Sequence, residues 1–328
     1  MKKNQISTVV LCYSLFAVAT GFYADSPPTL AALTGIFALQ LAAIAALFTV
    51  FDNGMKPPSA VVLILSVCCA ADIMPRIYRA LDTAAAQSAS PLMYTLIIIA
   101  AALYGAFFGK STRLAGRASV FAAGFSVAVL IVLFIGCVGK IQLGSDFLNY
   151  NAASERSIDR ASFPLIPLET ALLYSCFSVS AKGSAARRLT AAAQSVRLAV
   201  IFAFSSLIIL IDGAAAYSGN RFSLTASLCG IIAGGRCDWL YEILITLCGG
   251  FALTTVFRVI YITVSKRFGG MTGVLLSLTL FAFSFAVGGM FYGRRDAAAV
   301  FMLAAAVLPL PAALIQACAV KMRRKGKV

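Results

Sequence analysis

The chain has 328 residues, of which 61% are hydrophobic and 12% are charged, with a formal net charge of +15 and no histidine. This composition, with a mean hydropathy of +0.92, excludes an ordinary soluble domain and is typical of a polytopic membrane protein. The positive charge predicts no nucleic-acid partner, because it lies in short loops beside apolar segments, where anionic lipid headgroups attract it.

Apolar segments long enough to cross a bilayer follow one another along the whole chain. A span needs about 20 mostly apolar residues in helical form, because only a helix satisfies its own backbone in lipid. We predict ten spans, at residues 6–24, 29–51, 57–74, 91–108, 117–138, 161–181, 189–212, 238–264, 271–291 and 297–320. The shorter segment 222–235, rich in Gly and Ser, is interpreted as a half-inserted or surface piece. The predicted fold class is therefore an all-α integral membrane protein.

Positive charge alternates between the two sides of this array. Most of the 27 Lys and Arg residues lie on every second loop, starting at Lys2, and Asp52 is the one acid among them. The opposite loops and helix ends carry the other acids. Lysine-rich and arginine-rich loops face the cytoplasm. Both termini are therefore predicted to be cytoplasmic, and the protein is expected to be a multi-pass integral membrane protein.

The longest polar interruption divides the chain into two halves of five spans each. We predict one membrane domain, residues 1–328, with a first repeat at 1–138, an outer linker at 139–162, a second repeat at 163–320 and a basic cytoplasmic tail at 321–328. An odd number of spans in each half inverts the second half relative to the first. Transporters with this arrangement bind their ligand near the midplane, between discontinuous helices of the two repeats.

Two segments favour a break in the helix, and each lies in the first span of a half. Glycine frees the backbone, and proline removes a hydrogen-bond donor. The alternative is that both segments are ordinary helix ends. The residues concerned are Thr20, Gly21 and Phe22 in the first span and Pro164, Pro167 and Glu169 in the sixth.

Ionisable residues inside the predicted spans are further indications of a site. Asp72 and Arg76 are four residues apart at the predicted outer end of the third span, so on a continuous helix they would pair, although Pro75 can disturb that geometry. Arg258 precedes Lys266 by about 12 Å of helix, so that its head can snorkel to the cytoplasmic interface. For Asp72 and Glu169 two interpretations stay open: contact with a ligand or ion, or a solvated helix end.

Neither the cysteines nor the carboxylates indicate a catalytic or metal site. Most of the nine cysteines lie in apolar runs, where Cys acts as a small hydrophobe, and their spacing does not match a zinc site. Cys229 and Cys237 are near enough in sequence for a disulfide at the outer face, which stays open. Without histidine, and without a carboxylate pair at a hydrolytic spacing, we predict no metal, no cofactor and no enzyme activity.

Several short stretches together carry a family resemblance: Lys3–Ser7, Ala102–Gly105, Arg113–Ala118, Gly139–Leu143 and Arg236–Leu240. Their order, with the order and length of the spans, resembles the spore germination permease family, the B-type subunit of GerA-like germinant receptors. The resemblance implies membership of the amino acid–polyamine–organocation permease superfamily, with ten spans in two inverted repeats. It also implies a small nutrient ligand, often an amino acid, and two partners, a second membrane subunit and a lipoprotein. The location it implies is the bacterial cytoplasmic membrane, here the inner membrane of the spore.

We therefore expect a permease-like subunit that binds a small polar nutrient near the midplane. Half-helix ends there offer N–H and C=O groups suited to the carboxylate and ammonium of an amino acid. The alternative function is an ion-coupled secondary amino acid transporter. The expected ligand contacts are Thr20, Gly21 and Phe22 on one side and Pro164, Glu169, Tyr174 and Ser175 on the other, with Asp72 and Thr254 on neighbouring spans.

Overall fold

The computed structural model describes residues 3–20, 38, 42–47, 57–84, 90–108, 112–138, 168–177, 199, 238–292, 301, 304–305 and 307–325. Helices make up almost all of these ranges, and no strand occurs within them. The predicted linker 139–162 and the segment 222–235 lie outside the described residues. The helices are α1 (Lys3–Thr20), α2 (Ser59–Ala84), α3 (Pro91–Phe108), α4 (Thr112–Val138), α5 (Glu169–Phe177), α6 (Asp238–Phe268), α7 (Gly270–Tyr292) and α8 (Pro309–Lys325).

Several of the described helices are long and apolar. In the part of the chain that the structure describes, three helices are long and apolar enough to cross a membrane, by length and composition: Ser59–Tyr78, Trp239–Phe268 and Gly270–Met290. Their mean hydropathies are 2.0, 2.0 and 1.9. The predicted all-α, membrane-compatible class is confirmed at this level.

The helix α2 is longer than the sequence predicted. The predicted span ended at residue 74, whereas α2 runs to Ala84 with Pro75 inside it. Asp72 therefore lies near the middle of α2 and six residues before the end of the candidate span Ser59–Tyr78. Its place at the outer end of a span stays a prediction. The prediction ended the span too early because Arg76 lowers the mean hydropathy of the residues around it, whereas the helix itself continues through Arg76.

The bounds of the other helices differ from the predicted spans mainly where a helix begins or ends in polar residues. α3 has the predicted bounds, Pro91–Phe108. α4 begins at Thr112, before its predicted start at 117, because the arginines there form the first turns of the helix. α8 continues to Lys325, so the basic tail predicted from residue 321 begins inside a helix.

The core of the described bundle is organised around α6. This helix of 31 residues, about 46 Å long, contacts α1, α2, α3, α4, α5 and α7. Phe16 of α1 and Phe257 of α6 are fully buried. A Cβ atom built on Gly249 would lie 2.8 Å from Cε2 of Phe16 and 3.2 Å from Cδ1 of Ile77, so this glycine lets three helices approach closely.

A tight reversal joins α6 to α7. Gly269 and Gly270 have φ angles of 64° and 40°, a left-handed conformation that glycine adopts without steric cost. The chain therefore folds back directly, and α6 and α7 pack as an antiparallel pair. The rings of Phe257 and Phe281, with centroids 4.2 Å apart, lie between them.

Pro75 of α2 packs against a glycine of α7. Proline has no N–H, so the carbonyl of Ala71 lacks its usual partner four residues later. A Cβ atom built on Gly288 would lie 2.6 Å from the Ala71 oxygen and 2.8 Å from Cγ of Pro75. Only a residue without a side chain permits this approach, so Gly288 determines how closely α7 lies on α2.

The helices α3 and α6 run in the same direction. A Cβ atom built on Gly250 would lie 3.8 Å from Cγ2 of Ile98, and further along both helices the rings of Phe107 and Tyr261 have centroids 5.0 Å apart. From the first contact to the second, the residue numbers increase in both helices, so the two helices are parallel. The carboxyl ends of α3 and α6 therefore point to the same side of the bundle.

Candidate functional site

A buried ion pair lies in the middle of α2. Nε of Arg76 donates a hydrogen bond to Oδ1 of Asp72 at 2.6 Å, and the side chains of Arg76 and Asp72 are 14% and 4% exposed. The pair predicted from the four-residue spacing is therefore present, and Pro75 does not interrupt it. An ion pair in an apolar bundle is costly to desolvate, so it depends on further hydrogen bonds to its free oxygen.

Tyr13 of α1 supplies that further hydrogen bond. Its hydroxyl donates to Oδ2 of Asp72 at 2.8 Å. The same hydroxyl accepts the backbone N–H of Leu168 at 3.1 Å. An N–H can only donate, so the tyrosine oxygen accepts from Leu168 and its proton points to Asp72. Three helices thus meet at one phenol oxygen, and we call Tyr13, Asp72, Arg76 and Leu168 the polar node.

The position of Leu168 explains why its N–H is available. Leu168 immediately precedes α5, and its carbonyl accepts the N–H of Leu172 at 2.8 Å. The first N–H groups of a helix have no partner within the helix. Tyr13 satisfies this one, while the Cys69 thiol lies 3.9 Å from the Leu168 carbonyl oxygen. The start of α5 is therefore held by side chains of α1 and α2.

The structure describes some of the predicted site residues and leaves others outside its described ranges. Asp72 belongs to the polar node. Thr20 is buried at the end of α1, and its hydroxyl donates to the Phe16 carbonyl at 2.8 Å. Tyr174 and Ser175 are buried in α5, and so is Leu168 directly before that helix. Gly21, Phe22 and Pro164 lie outside the described residues, as does the side chain of Glu169, whose backbone opens α5.

Thr254 lies against α3, and its contacts there are those of a packing residue. A Cβ atom built on Gly105 would be 3.0 Å from Cγ2 of Thr254. The hydroxyl of Thr254 donates to the Gly250 carbonyl at 2.7 Å, within its own helix. Its described interactions join α6 to α3 and include no bond to the polar node.

Tyr13 is the functional candidate that sequence reasoning missed. It lies inside the apolar run of the first predicted span, residues 6–24. The available signal was its hydroxyl, because a tyrosine buried in an apolar helix usually finds a hydrogen-bond partner. The sequence alone does not identify that partner, since Tyr13 and Leu168 are 155 residues apart.

A second buried polar contact lies away from the node, between α4 and α6. The Ser126 hydroxyl and the Cys248 thiol are 3.0 Å apart, and both residues are fully buried. Cys12 of α1 donates to the carbonyl of Ser119 in α4 at 3.3 Å. These contacts satisfy the polar atoms of small side chains and join α1, α4 and α6. They carry no net charge and indicate a packing role.

Comparison with family models and with curated proteins gives no relative of this chain. No family model matches the chain. No curated protein matches it either. The resemblance to the spore germination permeases therefore depends on the local motifs and the order of the spans.

Proposed function

We propose that the chain is a permease-like membrane subunit that binds a small polar nutrient, such as an amino acid, beside the polar node. The observation that carries this proposal is the Tyr13 hydroxyl, which links the first helix of the first half to the start of the first helix of the second half. Asp72 and Arg76 add a carboxylate and a guanidinium at the same place. Intramembrane ionisable groups commonly mark substrate or ion pathways.

A helix break at Gly21, as the sequence predicts, together with the start of α5 would suit a zwitterionic ligand. α1 is described as far as Thr20, and α5 begins at Glu169, directly after Leu168. The carboxyl end of one helix carries partial negative charge, and the amino end of another carries partial positive charge. These ends suit an ammonium group and a carboxylate respectively. Paired half-helices provide such sites in transporters built from inverted repeats.

The proposed topology has ten spans, two inverted repeats and both termini in the cytoplasm. The alternation of basic loops supports it. The parallel course of α3 and α6 also supports it, because these are the fourth and eighth predicted spans and both would run inward. Labelling single cysteines at the two termini from each side of sealed vesicles tests the topology, and labels on opposite faces would contradict it.

We further propose that the subunit acts in a germinant receptor of the spore inner membrane, with a second membrane subunit and a lipoprotein as partners. The family resemblance supports this role. Ligand binding would shift the equilibrium between two arrangements of α1 and α5, which the partners would detect. Spores that carry Tyr13→Phe in place of the wild-type chain should lose nutrient-triggered germination, whereas spores with Tyr94→Phe, on the exposed face of α3, should respond normally.

Binding to the purified protein tests the site itself. Equilibrium binding of a panel of radiolabelled amino acids should identify at least one ligand of the wild-type protein. Asp72→Asn should weaken its binding at least tenfold, as expected for the loss of a hydrogen bond to a charged group. Unchanged affinity in both Asp72→Asn and Gly21→Leu would contradict the proposed pocket.

An ion-coupled amino acid transporter is the second candidate function. The buried carboxylate of Asp72 favours it, because such groups couple substrate movement to protons or cations. A transporter should accumulate radiolabelled amino acid in proteoliposomes when an ion gradient is imposed. A receptor subunit should bind the same amino acid without accumulation, so the two functions give opposite results in one assay.

A further inference from the structure

The reversal between α6 and α7 exposes two cations and two large apolar side chains at one place. Lys266 and Arg267 are exposed in the last turn of α6. Phe268, the last residue of α6, is 52% exposed, and Met271, in the first turn of α7, is 72% exposed. We call these four residues the basic tip. They combine positive charge with uncovered apolar surface.

Backbone hydrogen bonds at the reversal keep these side chains together. The N–H of Gly269 donates to the carbonyl of Ser265 at 3.0 Å, which closes the last turn of α6. The N–H of Gly273 donates to the carbonyl of Gly269 at 2.9 Å, which forms the first turn of α7. Both helices therefore continue up to the reversal, and the cations at the end of α6 stay close to Met271.

The end of a helix explains only part of the basic tip. Cations in the last turn are stabilised by the partial negative charge of the carboxyl end. The guanidinium carbon of Arg267 lies 5.9 Å from the centre of the Phe268 ring, so a charge and an apolar face are adjacent. Neither contact accounts for the exposure of Phe268 and Met271, since apolar surface in water is unfavourable. A covering surface that is both anionic and apolar would accommodate all four side chains.

The length of α6 indicates where such a surface lies. Trp239 and Lys266 are about 40 Å apart along the helix, whereas the hydrocarbon core of a bilayer is about 30 Å thick and the whole bilayer about 40–45 Å. An α6 that crosses the membrane therefore brings one end into each headgroup layer. Trp239, 54% exposed near the start of α6, suits such a layer, because tryptophan is enriched there. The basic tip would lie in the opposite layer, which the sequence predicts to be cytoplasmic.

We propose that the basic tip binds anionic phospholipid in this headgroup layer. Lys266 and Arg267 contact the phosphate groups, because an anionic leaflet attracts basic side chains near its surface. Phe268 and Met271 insert among the first carbons of the acyl chains, where they leave water. The basic tip shares no residue with the polar node, so this proposal does not depend on the proposed nutrient site.

Tryptophan fluorescence of the full-length protein in lipid vesicles tests the proposal. The chain has one tryptophan, so Trp239→Phe combined with Phe268→Trp moves this probe to the basic tip. The vesicles contain phosphatidylcholine and a minor fraction of phosphatidylglycerol. Bromine, which quenches tryptophan, is placed near the headgroup end of the acyl chains of one lipid or the other. Phosphatidylglycerol should be enriched about fivefold around the moved probe, the factor that corresponds to the attraction of one Lys or Arg to an anionic surface.

The wild-type protein is the matched control, because Trp239 probes the other end of the same helix. Phosphatidylglycerol should be close to its overall share of the vesicle there, and equal enrichment at both ends would overturn the proposal. Adding Lys266→Gln and Arg267→Gln to the moved-probe variant should remove most of the enrichment. Lys266→Arg with Arg267→Lys keeps both charges and should preserve it. Enrichment that survives the two Gln substitutions would also overturn the proposal.

Acrylamide, a neutral quencher dissolved in the water, tests the insertion of the apolar side chains. Brominated lipid should quench the moved probe strongly, and acrylamide should quench it weakly. Quenching by acrylamide alone would place the basic tip in water, and protection from both quenchers would show that protein covers it; either result would overturn the proposal. If the Phe268→Trp variant does not fold, Met271→Trp takes its place, with the same expected results.

Discussion

The hydroxyl of Tyr13 lies 2.8 Å from Oδ2 of Asp72, and this one contact joins the first described helix to the ion pair of the second. Tyr13 is completely buried, and Asp72 is 6% exposed. The hydroxyl also accepts the N–H of Leu168. Its removal would therefore affect three helices at once.

Tyr13→Phe should destabilise the protein by about 1–3 kcal/mol, because a buried carboxylate oxygen and a buried N–H would each lose a partner. The ring stays, so packing changes little. Tyr94→Phe, at an exposed position of α3, should change the stability by less than about 0.5 kcal/mol. Denaturant or thermal unfolding in detergent measures both variants, and equal stabilities would contradict the role of the hydroxyl.

Asp72→Asn should be more damaging than the double variant Asp72→Asn/Arg76→Gln. The single change leaves the Arg76 guanidinium without its carboxylate, at a cost of about 3–5 kcal/mol for a buried pair. The double change removes both charges and should recover part of that loss. A double-mutant cycle on the unfolding free energies gives the coupling energy. Additive effects would show that the two side chains contribute independently.

Gly288→Ala should destabilise the protein by about 1–3 kcal/mol through overpacking, because the new methyl would meet the Ala71 carbonyl oxygen at 2.6 Å. Gly289→Ala is the matched control, since a Cβ there has nothing within 4 Å. Both changes raise helix propensity by a similar amount, so their difference isolates the steric contact. If the two variants unfold at the same temperature, α7 does not depend on this approach to α2.

Gly249→Ala and Gly250→Ala form a second matched pair on neighbouring positions of α6. A methyl at Gly249 would lie 2.8 Å from the Phe16 ring, whereas one at Gly250 would lie 3.8 Å from Ile98, an ordinary contact distance. Gly249→Ala should therefore cost about 1–3 kcal/mol more than Gly250→Ala. Unfolding free energies of both variants check this, and a smaller loss at Gly249 would contradict it.

The features that could be predicted from the sequence depend on residues close to one another along the chain. Hydropathy identified α3 with its bounds, and the four-residue spacing identified the Asp72–Arg76 pair. Both follow from helical geometry over a few turns. The positions of the helix ends were less accurate, because the arginines of α2 and the lysines of α8 continue a helix in which the hydropathy average has already fallen.

Contacts between distant parts of the chain could not be predicted in the same way. Tyr13 and Leu168 meet only after α1, α2 and α5 have packed. Gly288 resembles its neighbour Gly289 in sequence, and only the position of α2 distinguishes them. The predicted ligand contacts Gly21, Phe22 and Pro164 stay predictions. The role of Thr254 as a ligand contact also stays a prediction, although its described contacts are with α3 and its own helix.

The proline of α2 has a consequence for the ion pair beside it. A helix bends most readily where a backbone hydrogen bond is missing, and in α2 that point is the Ala71 carbonyl opposite Pro75. Asp72 lies between Ala71 and Pro75, and Arg76 directly follows Pro75, so their 2.6 Å contact spans the turn in which this hydrogen bond is missing. Neutralising Asp72 should widen the range of bend angles in α2, which distances between spin labels at its two ends would measure. The same residue would then control both the shape of α2 and its attachment to Tyr13.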